Sequence, residues 1–140
     1  MLHRKVRHFL AAIAIGAASL PVYSEIVVGQ TLPTSGSLAP FGTAIVKGAQ
    51  AYFDRVNAAG GVNGERIRVV VIDDAGDSKR TVENARQLAG QGVVALFGSI
   101  EGGPCTALLP VVAELKIPLV ACMAGSPQLR EPFNPYVFTV

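Results

Sequence analysis

The sequence predicts an α/β domain: a parallel β-sheet with helices on both faces. Strand-like apolar runs recur through residues 25–140, and each is followed by a segment with helical periodicity. The runs (IVVGQT, IRVVVI, VVALF) are almost continuously apolar rather than alternating, as strands buried on both faces are. Glycine, proline and serine cluster just after the runs, where an open parallel sheet offers its loops to ligands.

Ile26–Thr31 is the first strand, and LPTSGSLAPF is the loop that follows it. From Gly42 onward, Ile45, Ala49, Tyr52, Phe53 and Val56 fall on one helical face. That helix stops at Ala59-Gly60-Gly61, because a glycine can supply the left-handed residue beyond a helix end. Val62-Asn63-Gly64 turns the chain into a second strand, Ile67–Ile72. Asp77 or Ser78 caps the next helix, whose face is Val82, Ala85, Leu88 and Ala89. Val93–Phe97 is the third strand, and Ala107, Leu108, Val111, Val112 and Leu115 mark the third helix. Pro118–Cys122 is the fourth strand, and Tyr136–Val140 reads as the start of a fifth. With nothing after it to cover that strand, the domain reads as incomplete.

The first 24 residues read as a secretory signal peptide. Arg4, Lys5 and Arg7 precede an apolar run, Phe9 to Leu20, too short to span a bilayer, which needs ~20 residues. Val22 and Ser24 occupy the positions a signal peptidase inspects, so the mature chain is expected to begin near Glu25, in the periplasm. No cysteine stands there to take a lipid. Removing this segment takes away three basic residues and no acid, so the formal charge moves from +2 to −1. The basic balance belongs to export and gives no reason to expect a nucleic-acid partner.

Export would place Cys105 and Cys122 in an oxidising compartment. One bridge between them would stabilise by ~3 kcal/mol in the chain-entropy model. Two buried thiols are the other open reading, since both cysteines lie beside core elements. Neither has a histidine or a further cysteine at metal spacing, so no metal site is expected.

The loops Leu32–Phe41, Asp73–Asp77, Ser99–Pro104 and Met123–Pro127 lie where ligands would bind. Prolines stand in the first loop where a dinucleotide fingerprint needs glycines, and there is no phosphate-binding G-x-x-x-x-G-K motif. Asp73-Asp74 resembles the acidic pocket of a receiver domain, but the third strand ends in Gly98 rather than the further Asp such a pocket requires. Turn and helix capping is the simpler role for these acids. Ser99 and Ser126 are placed like nucleophiles, yet no G-x-S-x-G elbow surrounds them. The only histidines, His3 and His8, lie in the export signal, so a Ser-His pair is excluded from the mature chain and no enzyme is expected. Binding remains. Gly102 and Gly103 offer unhindered amides at the positive end of the third helix, a favourable place for a carboxylate. The plainer alternative is that these glycines ease a tight strand-to-helix turn.

The string TSGSLAPFGTAIVKGAQAYFDRVNAAGGVNGERIRVVVIDDAGD resembles the amino-terminal lobe of type I periplasmic binding proteins. It is most like the leucine/isoleucine/valine-binding family, the solute receptors of amino-acid ABC importers. FGSIEGGPCTALLPV, ACMAGSP and NPYVF continue the resemblance in order, over essentially all of residues 25–140. It implies a flavodoxin-like strand order and two lobes that close on the ligand, with no cofactor and with ABC permease subunits as partners. It places ligand contacts on Ile100, Glu101 and Gly102, and on Met123, Ala124 and Gly125. Phe41 would pack against the ligand's side chain.

Amino-acid binders of the family carry a Ser in the strand-three loop and a Thr in the strand-four loop. By position these are Gly102 and Gly125 here, and each lost hydroxyl removes a hydrogen bond of ~0.5–1.5 kcal/mol. Glu101 adds a negative charge at the pocket mouth, or is an exposed first-turn acid favoured by the helix dipole. The resemblance therefore implies a branched-chain amino acid, or a similar small carboxylate or amide. A second lobe is absent from these 140 residues, so the expectation is of a truncated member. A ligand-sensing module and a non-functional fragment are the alternatives.

Overall fold

The structure is a computed structural model that describes residues 25–139. The signal segment, its cleavage near Ser24 and Val140 lie outside the described residues. Five strands form one parallel sheet in the order β2-β1-β3-β4-β5, the flavodoxin-like order. They are β1 (Glu25–Leu32), β2 (Arg66–Asp73), β3 (Ala95–Phe97), β4 (Leu119–Val120) and β5 (Val137–Phe138). The helices α1 (Ala39–Ala58), α2 (Ser78–Gly90) and α3 (Gly102–Leu115) alternate with them, and a short 3₁₀ turn spans Pro127–Leu129.

Several boundaries differ from the sequence reading. β1 and β2 are one residue longer at each end, because their ladder runs unbroken from Glu25–Arg66 to Leu32–Asp73. β3 and β4 are shorter than expected. β4 makes only two register pairs with β3 and two with β5, so its flanking apolar residues lie outside the ladder. α1 starts at Ala39, before Gly42, with Pro40 in its first turn, where a missing N–H is no loss. α3 starts at Gly102, so the glycines read as loop belong to a helical turn.

The pleat sorts the sheet into two unequal faces. Val27, Leu96 and Leu119 point to one side, where Ala85 and Leu88 of α2 meet Leu108, Val111 and Val112 of α3 in the main core. Gly29 lies on this side because Leu88 and Leu96 press against it, with Leu96 Cδ2 at 3.0 Å from where a Cβ would stand. The other side carries α1. Asn57 near its end exchanges two hydrogen bonds with the backbone of Ile67, at 2.8 and 2.7 Å, which pins the helix to β2. Phe53 stacks edge-to-face on Phe97, with centroids 5.6 Å apart. Phe97, Val120 and Phe138 are register partners in one row across β3, β4 and β5. The row leaves the shelter of α1: Val120 is 39% and Phe138 54% exposed.

Gln30 is the exception in the sheet interior. It is fully buried beneath α1, beside Ile45 and Gly98, and neither atom of its amide has a partner among the described residues. A buried amide without partners destabilises, whereas an apolar side chain of the same length does not. Gln30→Met is therefore expected to stabilise the fold by about 1 kcal/mol. Thermal unfolding followed by circular dichroism checks this, and an unchanged or lower Tm would contradict it.

Candidate functional site

The strand order reverses between β1 and β3, and the loops at the carboxyl ends of β1 to β4 converge there. Two neighbouring aspartates at the end of β2 hold the first of these loops. Asp73 accepts N–H bonds from Thr34 (2.7 Å), Ser35 (3.1 Å) and Ala75 (3.1 Å), and the Ser35 hydroxyl also donates to it. These donors, the Ser35 hydroxyl foremost, hold the Asp73 carboxyl well below the usual carboxylate range. The loop they brace is closed from the other side by Gly42. A Cβ at Gly42 would come 1.8 Å from the Pro33 carbonyl oxygen, so only glycine lets α1 cross the loop at this distance.

Asp74 is fully buried and ties three elements together. Its Oδ2 accepts from the hydroxyls of Thr31 (3.1 Å) on β1 and Thr81 (3.0 Å) on α2, and its Oδ1 accepts the Gly76 N–H at 2.9 Å. Asn84 extends the network by donating to Thr31 Oγ1 and to the Asp73 carbonyl. Ser99, also fully buried, donates its hydroxyl to the Thr31 carbonyl at 2.8 Å and so joins the β3 loop to β1. That bond makes Ser99 a structural donor rather than a free nucleophile. Asp77 caps α2, accepting from the backbone of Lys79 and Arg80, and the Arg80 N–H leads in holding its carboxyl low.

The loops after β3 and β4 run side by side. Ile100 and Met123 form a parallel bridge, and the Met123 N–H donates to the Ser99 carbonyl at 2.8 Å. A disulfide joins Cys105, in the first turn of α3, to Cys122 just beyond β4, with Cα atoms 6.0 Å apart. Ile100 turns its side chain inward and offers backbone only. Met123 is 43% exposed, Ala124 packs partly against the core, and Gly125 is exposed with open space around it. Gly102 lies in the first turn of α3 rather than in a loop. Phe41 likewise sits in the first turn of α1, not in the loop before it, and is 66% exposed.

Ser126 was not among the ligand contacts expected from the sequence. Its Oγ lies 2.8 Å from where a Cβ at Gly102 would stand, so it brings a hydroxyl to a position that Gly102 itself leaves bare. Counting along ACMAGSP could not reveal this, because the approach depends on how two loops pack. Glu101 precedes α3 with φ 72° and ψ 146°, and its side chain makes no capping bond. It reaches instead toward the β2–α2 loop, where a Cβ at Gly76 would come 2.8 Å from its Oε2. That oxygen is buried without a donor among the described residues.

Three outcomes test this arrangement. Asp74→Ala strands the Thr31 hydroxyl and the Gly76 N–H, while the Thr81 hydroxyl keeps the Asp77 carbonyl, and is expected to cost ~3 kcal/mol in urea unfolding. Asp73 has a lower pKa folded than unfolded, so its stabilisation is complete above the ordinary carboxylate value. It fades as pH falls through about 4 and below. Asp73→Asn should flatten the acid limb of the stability–pH profile, and an unaltered limb would contradict the assignment. Cys105→Ser with Cys122→Ser is expected to lose ~3 kcal/mol against the oxidised protein.

A family model described as "Periplasmic binding protein" matches residues 25–140. The Leu/Ile/Val-binding protein homolog 3 of Brucella melitensis is 34% identical over 118 residues, covering 84% of this chain and 32% of that protein. The crystal structure of a substrate-binding periplasmic protein from Ralstonia solanacearum superposes with a TM-score of 0.79 at 39% identity. It covers 83% of this chain and 33% of that one. The branched-chain amino acid transporter substrate binding protein LivJ from Streptococcus pneumoniae, solved with isoleucine, superposes with a TM-score of 0.76 at 31% identity. It covers 83% of this chain and 33% of LivJ. The chain thus spans about a third of the length of the relatives it matches, with the sheet order and loop convergence described above. It belongs to the periplasmic binding protein family, among the relatives of its leucine/isoleucine/valine-binding members.

Proposed function

We propose that this chain is the ligand-gripping lobe of an extracytoplasmic solute receptor that serves an ABC importer. The observation that carries the reading is the convergence of the β1, β3 and β4 loops at the point where the strand order reverses. Those loops are braced rather than free. Asp73 holds the first, Ser99 fastens the second to β1, and the Cys105–Cys122 bridge ties the second to the third. A binding surface held in this way spends little ordering entropy when a ligand arrives.

The ligand is a small solute, a branched-chain amino acid or a similar carboxylate or amide. Backbone N–H groups at Gly102 and Gly103 open α3 and face the same end of the sheet as the Ser126 hydroxyl. Ile100, Glu101 and Gly102 form one wall, and Met123, Ala124 and Gly125 the other. Phe41 and Met123 supply exposed apolar surface for an aliphatic side chain. In this reading the protein works in the periplasm, its partners are the membrane subunits of an importer, and no covalent chemistry is involved.

Titration of the oxidised, ¹⁵N-labelled protein with leucine, isoleucine and valine tests the proposal. Amide shifts are expected in residues 33–41, 98–103 and 121–126, with little change along β2 or the outer face of α2. One lobe leaves the ligand open to water, so a Kd on the order of 1 mM is expected. Shifts spread over other surfaces, or none with any small amino acid, carboxylate or amide, would overturn it.

A further inference from the structure

Strand β2 carries a run of apolar residues that the fold does not bury. Its sequence is RIRVVVID, yet every residue in it is half-buried or exposed, Val71 at 36%. In neighbouring β1, five of the eight residues are buried. β2 is an outer strand of the sheet, and its far side pairs with no strand among the described residues.

The backbone groups on that far side follow from the ladder. The Asp74 N–H, next along the chain, donates to the Leu32 carbonyl of β1 at 3.4 Å. Alternate residues of a parallel strand bond to the same neighbour. Val70 and Ile72 therefore face β1, while Ile67, Val69, Val71 and Asp73 turn their backbone groups outward. Two asparagines cover the ends of this edge. Asn57 of α1 bonds both groups of Ile67, and Asn84 of α2 takes the Asp73 carbonyl. Between them, the N–H and C=O of Val69 and Val71 have no partner among the described residues. An open edge of this kind is a template for another strand, and neither a proline nor a lysine guards it.

We propose that this edge is an interface, and that its partner is a second copy of this chain. Antiparallel pairing about a twofold axis sets Val69 of one copy opposite Val71 of the other, so the open groups of each copy satisfy those of its partner. The charges select the same direction. β2 begins basic, with Arg66 and Arg68, and ends acidic, with Asp73. Antiparallel copies bring opposite charges together, whereas parallel copies would set like beside like. α1 repeats the pattern. Lys47, Asp54 and Asn57 recur at helical spacing on one flank, which Asn57 fastens over the edge, and Lys47 and Asp54 are exposed. The same axis brings Lys47 of one helix toward Asp54 of the other. The loops that meet between β1 and β3 stay open in both copies.

Sedimentation velocity and residue-resolved amide exchange of the oxidised protein, over a range of concentrations, test this. The mass should move from one chain toward two as concentration rises through about 100 μM, weaker than standard-size interfaces. Over that range the Val69 and Val71 amides should exchange about tenfold more slowly, while Val70 and Ile72, already paired with β1, do not change. Val71→Pro removes an outward N–H without touching the β1 ladder and should weaken the dimer at least about tenfold. Val71→Lys keeps that N–H, sets two like charges one diagonal apart and should weaken the dimer as well. A single-chain mass at every concentration overturns the proposal. So does protection of Val69 and Val71 already present in the monomer, which would mean that one chain covers its own edge. A dimer that Val71→Lys leaves equally tight places the contact elsewhere and overturns it too.

Discussion

The buried carboxylate of Asp74 is the interaction on which the binding end depends. A polar group is costly in a protein interior unless it has hydrogen-bond partners, and here they come from different elements. Thr31 brings β1, Thr81 brings α2 and Gly76 brings the turn between β2 and α2. Because each donor is fixed by its own strand or helix, satisfying one carboxylate sets the relative positions of all three. Ser99 then attaches the β3 loop to the same Thr31 residue. The ends of β1, β2 and β3 thus share one polar anchor beneath the surface where their loops meet.

A second fastening lies on the other side of the reversal point. The Cys105–Cys122 bridge and the Ile100–Met123 pairing hold the β3 and β4 loops together, so the walls of the site are joined independently of the Asp74 network. Both fastenings work in the interior: the Asp74 network where the dielectric is low and hydrogen bonds are strong, and the bridge where Cys105 and Cys122 are themselves buried in the main core. Glu101 stands between the two fastenings with an unfavourable backbone conformation and an oxygen unpaired among the described residues, and a well-braced surround is what allows such a residue to persist.

The sheet is covered unevenly. Leucines and valines from α2 and α3 complete one side, and that side contains the main core. On the other, α1 lies over β1 and β2 and reaches β3 through the Phe53–Phe97 contact. Beyond it the Phe97, Val120 and Phe138 row becomes progressively more exposed. The short ladders of β4 and β5 are in keeping with this, since a strand covered on one face has less apolar burial to hold it.

Much of this fold is legible in the residues themselves. Continuous apolar runs separated by helix-periodic segments determine the parallel sheet and its alternation with helices, because burial on both faces leaves few polar positions in a strand, Gln30 and Thr31 being those of β1. Asp77 as a cap and the glycines after α1 are equally local, since a cap or a left-handed turn involves only neighbouring residues. The lengths of β3 and β4 are not local, because ladder pairing ends where the partner strand ends. Nor are the starts of α1 and α3, whose Pro- and Gly-rich first turns carry weak helical signals of their own. The same holds for the site. The sequence points to the strand-end loops and to Ile100–Gly102 and Met123–Gly125, but tertiary structure alone brings Ser126 to Gly102 and Glu101 to Gly76. Those approaches join residues far apart in the chain, and only the packing of one loop against another decides them.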